Sequence, residues 1–203
     1  MDLHDHSRAG LEHAAGAERN SGLKVLKFGG TSVGSPEMIA RVAELIAQAA
    51  ATHRVVVVVS ARAGVTNTLV AAYEALEAGT LDIEALLALL RQEHRALAAV
   101  LKDDPALRQG YMSVLEAELK RLHEALQAAQ AQSDAAWRDE VLAAGERLMA
   151  PLLAATLKAR GLSAFAQDAT ALLVTDRMHG AASVDLEASR VRVTSWFARL
   201  SPH

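Results

Sequence analysis

Five consecutive valines at positions 55–59 constrain this chain more than any other feature. β-branched side chains favour extended backbone, and a run that is apolar on both faces suits a strand buried between two helical layers. Upstream, Leu23 to Phe28 reads as a second short strand that runs directly into Gly29-Gly30. Between the two lies a helical pattern. Ser35 is placed as N-cap, Pro36 at the first helical position and Glu37 in the first turn; Ile39, Val42, Ala43, Ile46 and Ala47 then recur at helical spacing to about Ala51. Strand, glycine turn, helix and strand over residues 23–60 make one βαβ unit, expected to have parallel strands and a right-handed crossover.

The remainder is expected to be mostly helical. Of 203 residues 51% are hydrophobic but only 3% aromatic, so the core must be built from Ala, Val and Leu. That content excludes a disordered chain. A helix bearing Leu69, Val70, Tyr73 and Leu76 follows the loop at 61–66. Residues 82–132 read as a helical insertion standing off the sheet, with Pro105 and Gly110 separating two helices. His94 and His123 within it are expected to be solvated or to face a partner. A third helix spans about 137–160, with Pro151 kinking it or marking an earlier break and Gly161 ending it. Residues 162–167 and 172–175 look like further strands, and a last helix runs from about 185 to 200. Residues 1–22 hold no sustained period; they are expected to be a disordered extension, with His4 and His6 part of a solvated tail more than a metal site. The domain proper is then 23–203.

Charge and composition exclude several functions. A formal net charge of −3 offers no bulk attraction for nucleic acid or an anionic membrane. No apolar run approaches the ~18–20 residues that span a bilayer. Zero cysteines exclude a disulfide scaffold, a zinc–thiolate site and a cysteine nucleophile, and fit a reducing compartment, so a cytoplasmic location is expected.

Three segments could carry chemistry. In Lys27-Phe28-Gly29-Gly30-Thr31-Ser32 a strand ends in two glycines before a helix, which lets backbone N–H groups approach phosphate oxygens. Thr31 and Ser32 add hydroxyls and Lys27 a point charge. The lysine precedes the glycines, so this is not a Walker A loop, and G-x-G-x-x-G is absent from the run. The same pattern also fits a plain glycine turn beside a lysine reaching for solvent. The second segment, residues 60–67, follows the valine strand, and ligands of open parallel sheets bind beyond the carboxyl ends of the strands. Ser60 and Thr66 could each donate to a carboxylate or phosphate, or Thr66 could simply cap the next helix. The third is Gly145-Glu146, where a carboxylate in an apolar helix could hold an ammonium group or merely be exposed.

Together, the run from Lys27 to Val33, Val59-Ser60-Ala61 with Gly64-Val65-Thr66-Asn67, and Gly145-Glu146 resemble the aspartate kinases of the amino-acid kinase superfamily in order and spacing. The resemblance covers about residues 23–200. It implies an α/β three-layer sandwich with a mainly parallel sheet, incomplete at the C-terminus. It also implies ATP- and Mg²⁺-dependent phosphorylation of the L-aspartate side-chain carboxylate to 4-phospho-L-aspartate, an entry to lysine, threonine and methionine synthesis. Carried over, Lys27 would stabilise the transferring phosphoryl group, and Gly29, Gly30, Thr31 and Ser32 would cradle phosphates. Ser60 and Thr66 would bind aspartate or the moving phosphate, and Glu146 would pair with the ammonium group of aspartate. Partners would be L-aspartate, ATP and a second copy of the chain, met through the sheet or the helical layers, with no nucleic acid and no membrane.

The chain departs from the family pattern at Arg62, where a small or apolar residue is usual, at Met149 in place of Ser, and at Thr170 in place of Arg. It also stops before the family's Arg-Gly-Gly-Ser-Asp segment and its Thr-Thr-Asp-Pro-Arg nucleotide region. Kinase activity of these 203 residues alone is therefore expected to be weak or absent. The alternatives are a non-catalytic subunit that binds a small acid or a partner chain, and a superfamily kinase acting on another acid.

Overall fold

A computed structural model describes residues 22–132 and 134–200. His4, His6 and nearly all of the expected N-terminal extension lie outside the described residues. The elements run β1 (Leu23–Phe28), a 3₁₀ turn (Gly30–Val33), α1 (Pro36–Ala50), β2 (Arg54–Val59), α2 (Val65–Glu77), α3 (Ile83–Leu97), a 3₁₀ turn (Ala98–Leu101), α4 (Pro105–Ala131), α5 (Ala135–Leu142), α6 (Ala144–Ala159), a 3₁₀ turn (Ala169–Ala171) and α7 (Leu186–Phe197).

The βαβ unit forms as its residues dictate. Ser35 caps α1, its Oγ accepting from the Met38 N–H at 3.3 Å, with Pro36 in the first turn. The strands pair in parallel, in register from Leu23 against Arg54 to Phe28 against Val59. Side chains alternate across a pleated sheet, so Leu26, Phe28, Val55, Val57 and Val59 pack against the core. The other face is open: Leu23, Val25 and Val58 are 54%, 60% and 48% exposed. The expectation of a valine strand covered on both sides therefore holds on one side only among the described residues.

The insertion is packed onto the neighbouring helices rather than standing free. Leu90 of α3, Leu115, Leu119, Leu122 and Leu126 of α4, and Leu148, Met149 and Leu152 of α6 join one core with α1 and α2. Pro105 opens α4 behind an Asp104 cap. Gly110, expected to separate helices, lies inside α4, since the leucine stripe beyond it is buried against α6 and holds the helix together. The third helix breaks at Ala143, between α5 and α6, while Pro151 stays within α6. Proline removes one N–H donor, but buried Leu148, Met149, Leu152 and Leu153 on either side of it keep the helix seated. Gly161 follows α6 with φ +79°, as a helix-terminating glycine should.

Residues 162–185 depart most from expectation. Neither expected strand forms; only an isolated antiparallel bridge joins Thr175 to Val184, and Asp168 caps a 3₁₀ turn between them. A strand needs a ladder partner for its backbone groups, and no partner strand for this segment exists among the described residues.

Candidate anion-binding rim

Parallel pairing brings the carboxyl ends of β1 and β2 to one edge, and three segments meet there. The Ser60 N–H donates to the Phe28 carbonyl at 3.1 Å, extending the ladder past β2. The chain then crosses beneath Gly30, and the Ala63 N–H donates to the Gly30 carbonyl at 3.1 Å. A Cβ on Gly30 would lie 2.5 Å from the Ala61 carbonyl oxygen and 2.9 Å from the Ala63 nitrogen. Those are backbone atoms that cannot swing aside, so glycine is required by close approach.

Gly29 is different. It has φ −79°, and nothing lies within 4 Å of where its Cβ would be. The fold does not demand glycine here, and its Cα faces open space. The Ser32 N–H closes the turn onto the Gly29 carbonyl at 2.9 Å, and fully buried Val33 anchors it.

The third segment arrives on α6. A Cβ on Gly145 would sit 2.5 Å from the Ala61 Cβ and 3.1 Å from Val65 Cγ1. The next residue, Glu146, accepts a hydrogen bond from the Ala61 N–H at Oε1, 3.3 Å away. This turn is firmly held, because buried Arg147 bonds the Glu118 carboxylate on α4 at 3.0 Å and the Glu140 carboxylate on α5 at 3.0 Å. Ala61, 3% exposed, is the point at which all three segments touch.

Lys27 lies across from Val58 on the open face of the sheet and is itself exposed. Among the described residues, no hydrogen bond or ion pair engages the side chains of Lys27, Thr31, Ser32, Ser60 or Thr66. Thr66 does not cap α2. The helix begins at buried Val65 behind Gly64, whose φ of +91° is the left-handed conformation that glycine adopts freely, so Thr66 lies exposed in the first turn. The rim thus presents an ammonium, four hydroxyls, a glycine with open space beside it and a carboxylate. Two concavities, of about 470 Å³ by Gln167, Leu172 and Trp196 and about 730 Å³ by Arg95, Lys102 and Arg108, lie away from it.

Behind the rim is a polar cluster that sequence reasoning missed. Arg62 forms an ion pair with Glu93 of α3. The neighbouring His94, expected to be solvated or to face a partner, is fully buried, with its Nδ1 2.8 Å from the Tyr111 hydroxyl. That hydroxyl donates to the Leu148 carbonyl of α6 at 3.3 Å, so it accepts from His94 Nδ1–H and leaves the His94 Nε2 lone pair without a partner. Burial, and secondarily the Arg62 charge, push the His94 pKa down to about 4, so the ring is neutral at pH 7. Burial likewise raises the Tyr111 pKa. The signal was in the sequence: His94 continues the stripe Leu87, Leu90, Leu97 and Leu101, all buried. His123, half-buried, faces the Glu84 carboxylate at 3.8 Å. Met149 is a core residue, and Thr170 bonds Asp168.

The model of the amino acid kinase family matches residues 22–198, and the chain belongs to that family. More narrowly, it is similar to the lysine-sensitive aspartokinase 3 of Escherichia coli K12, 33% identical over 172 residues, covering 83% of this chain and 36% of that protein. It is similar also to the bifunctional aspartokinase/homoserine dehydrogenase of Haemophilus influenzae, 31% identical over 181 residues, covering 84% of this chain and 21% of that one. Among solved structures, E. coli aspartokinase III in complex with aspartate and ADP superposes with a TM-score of 0.73 at 29% identity, over 87% of this chain and 38% of that one. The same enzyme with lysine and aspartate gives 0.74 at 28% identity. The chain therefore spans little more than a third of the length of the E. coli relative and has the amino-acid kinase fold over that span.

Proposed function

We propose that this chain forms the acceptor-side part of an aspartate kinase site, which moves the γ-phosphoryl group of ATP to the side-chain carboxylate of L-aspartate as an entry to lysine, threonine and methionine synthesis. The convergence of the three rim segments on Ala61 carries the reading. Such a transfer needs charge neutralisation and alignment more than covalent help. The aspartate carboxylate is ionised at neutral pH, so no general base is called for. Lys27 stands where it can neutralise the moving phosphoryl group, and the open space beside Gly29 admits phosphate oxygens to the turn and to the hydroxyls of Thr31 and Ser32. Glu146 is the counter-charge for the substrate ammonium, with Ser60 and Thr66 on the carboxylate side. Among the described residues no group of three or more acidic or histidine side chains could hold a metal ion. A Mg²⁺ ion would therefore be held mainly by the nucleotide phosphates rather than by a ready-made cluster of the described residues. No described helix is long and apolar enough to cross a membrane.

A second reading is supported by the open sheet face at Leu23, Val25 and Val58. It is a non-catalytic subunit that binds a small acid and associates with another copy or a fuller partner through that face.

Calorimetric titration separates them. On the kinase reading the chain binds L-aspartate and also, through the phosphates at its glycine turn, ADP, although it lacks the nucleotide contacts that turnover needs. Gly29→Ala leaves the melting temperature unchanged and weakens ADP about tenfold or more, because only a ligand competes for the space the methyl enters. Aspartate binding without ADP binding favours the second reading, and binding of neither sinks both. ATP-dependent aspartyl hydroxamate formation by the 203-residue chain would overturn the expectation that it is inactive alone.

A further inference from the structure

We infer that Arg62 and Glu93 are positioning residues that tie the substrate loop of the rim to the helical insertion. Arg62 sits between the two backbone groups that assemble the rim: the Ala61 N–H donates to Glu146 and the Ala63 N–H donates to Gly30. Its side chain leaves in another direction and pairs with Glu93 of α3, both partly shielded at 23% and 29% side-chain exposure. Arg62 Nε is buried without a partner. An arginine held with one donor unsatisfied has its place set by its surroundings, since leaving a buried donor unpaired is costly.

The same turn of α3 closes a ring. Glu93 holds the loop, while the next residue, His94, is held by Tyr111 of α4, whose hydroxyl bonds the carbonyl of Leu148, two residues beyond Glu146 on α6. The loop that receives Glu146 and the helix that carries it are thus indexed to one turn of the insertion by separate contacts. Moving α3 relative to α6 shifts the Ala61 N–H relative to the Glu146 carboxylate. Packing within the insertion thereby sets the geometry of the substrate carboxylate and ammonium subsite.

Amide exchange followed by NMR tests this without any ligand. In Glu93→Gln the Ala61 and Ala63 amides exchange about tenfold faster or more, while amides in the middles of α4 and α6 keep their wild-type rates. The charge swap Arg62→Glu with Glu93→Arg restores loop protection at least in part, and Arg62→Lys, which keeps the charge, loses less than Arg62→Met. Unchanged exchange at Ala61 and Ala63 in Glu93→Gln overturns the proposal, as does faster exchange throughout the chain or a charge swap no better than the single variants. A second arm rests on the aspartate kinase reading. L-aspartate titrated into the same variants binds about tenfold weaker in Glu93→Gln and recovers in the swap, with ADP affinity changed less. If the wild-type chain binds no aspartate, that reading fails while the exchange result still decides the positioning role.

Discussion

The bundle of α2 to α6 and the arm formed by residues 162–200 are both rich in apolar residues, yet they are held in different ways. In the bundle, most leucines of α3, α4 and α6 are buried to a few per cent, and even His94 and Arg147 are enclosed. In the arm, Phe165, Leu173, Met178, Val184, Leu186 and Val191 are all exposed, and Ser189 is the only buried residue of α7. Beyond Leu162 and Ala164, which pack on the core, the arm is held by point contacts: Asp139 accepting from the Gly180 N–H at 3.2 Å, the Arg54 guanidinium 4.3 Å from the centre of the Phe197 ring, and, within the arm, Trp196 against Phe165 with ring centroids 6.0 Å apart and Trp196 Nε1 donating to Gln167 at 2.9 Å. Apolar content becomes stability only where surfaces interdigitate, because dispersion and exclusion of water both need atoms on two sides.

The largest effect that would break this contrast is a cavity. Leu122→Ala, at a fully buried position in α4, costs about 2–5 kcal/mol in urea denaturation, whereas Leu186→Ala, at a position 78% exposed in α7, changes stability by about 0.5 kcal/mol or less. Equal costs would show that the arm is packed as well as the bundle.

Acid should divide the regions next. His94 has a folded-state pKa near 4, below its ordinary value of 6.5, so the unfolded chain takes up the proton first as pH falls. The contribution is fully present above about pH 6.5 and is lost as pH falls through 4, amounting to roughly 3 kcal/mol. Urea midpoints for wild type and His94→Gln at pH 7, 5.5 and 4.5 check this. The gap between the two proteins narrows towards low pH, and a constant gap would mean that His94 titrates in the bundle just as it does in the unfolded chain.

The smallest expected change is in the arm itself. Trp196→Ala removes the ring contact with Phe165 and the bond to Gln167, costs under about 1 kcal/mol overall, and raises amide exchange and proteolytic nicking within 162–200. Exchange in α4 and α6 stays at wild-type rates; a rise there would merge the two regions into one cooperative unit.

Local rules were legible to different depths in these regions. The βαβ unit was readable because each signal acts over a few residues: branched side chains in the strands, the Ser35 cap, the proline at the first helical position. The turn after β1 and the loop after β2 were legible as one edge for the same reason, since both follow strand ends in a parallel sheet, whereas Gly145 and Glu146 reach that edge from a helix. The arm differs from expectation because 162–167 has the composition of a strand, and composition says nothing of whether a partner strand lies alongside. The helix breaks ahead of Pro151, at Ala143, one of the two outcomes the proline offered; which of them holds is decided by the packing that seats α6 on both sides of Pro151.

Residue order alone therefore determined the βαβ core, the three rim segments and membership of a kinase superfamily, since these depend on backbone preferences and short spacings. Only the tertiary structure decided that Gly30 is glycine for contact while Gly29 is not. It alone decided that Glu146 reaches the Ala61 amide across 85 positions, and that Arg62, Glu93, His94 and Tyr111 join the insertion to the rim. Those relations depend on where packed helices cross, and crossing is set by side-chain fit between elements distant in the chain.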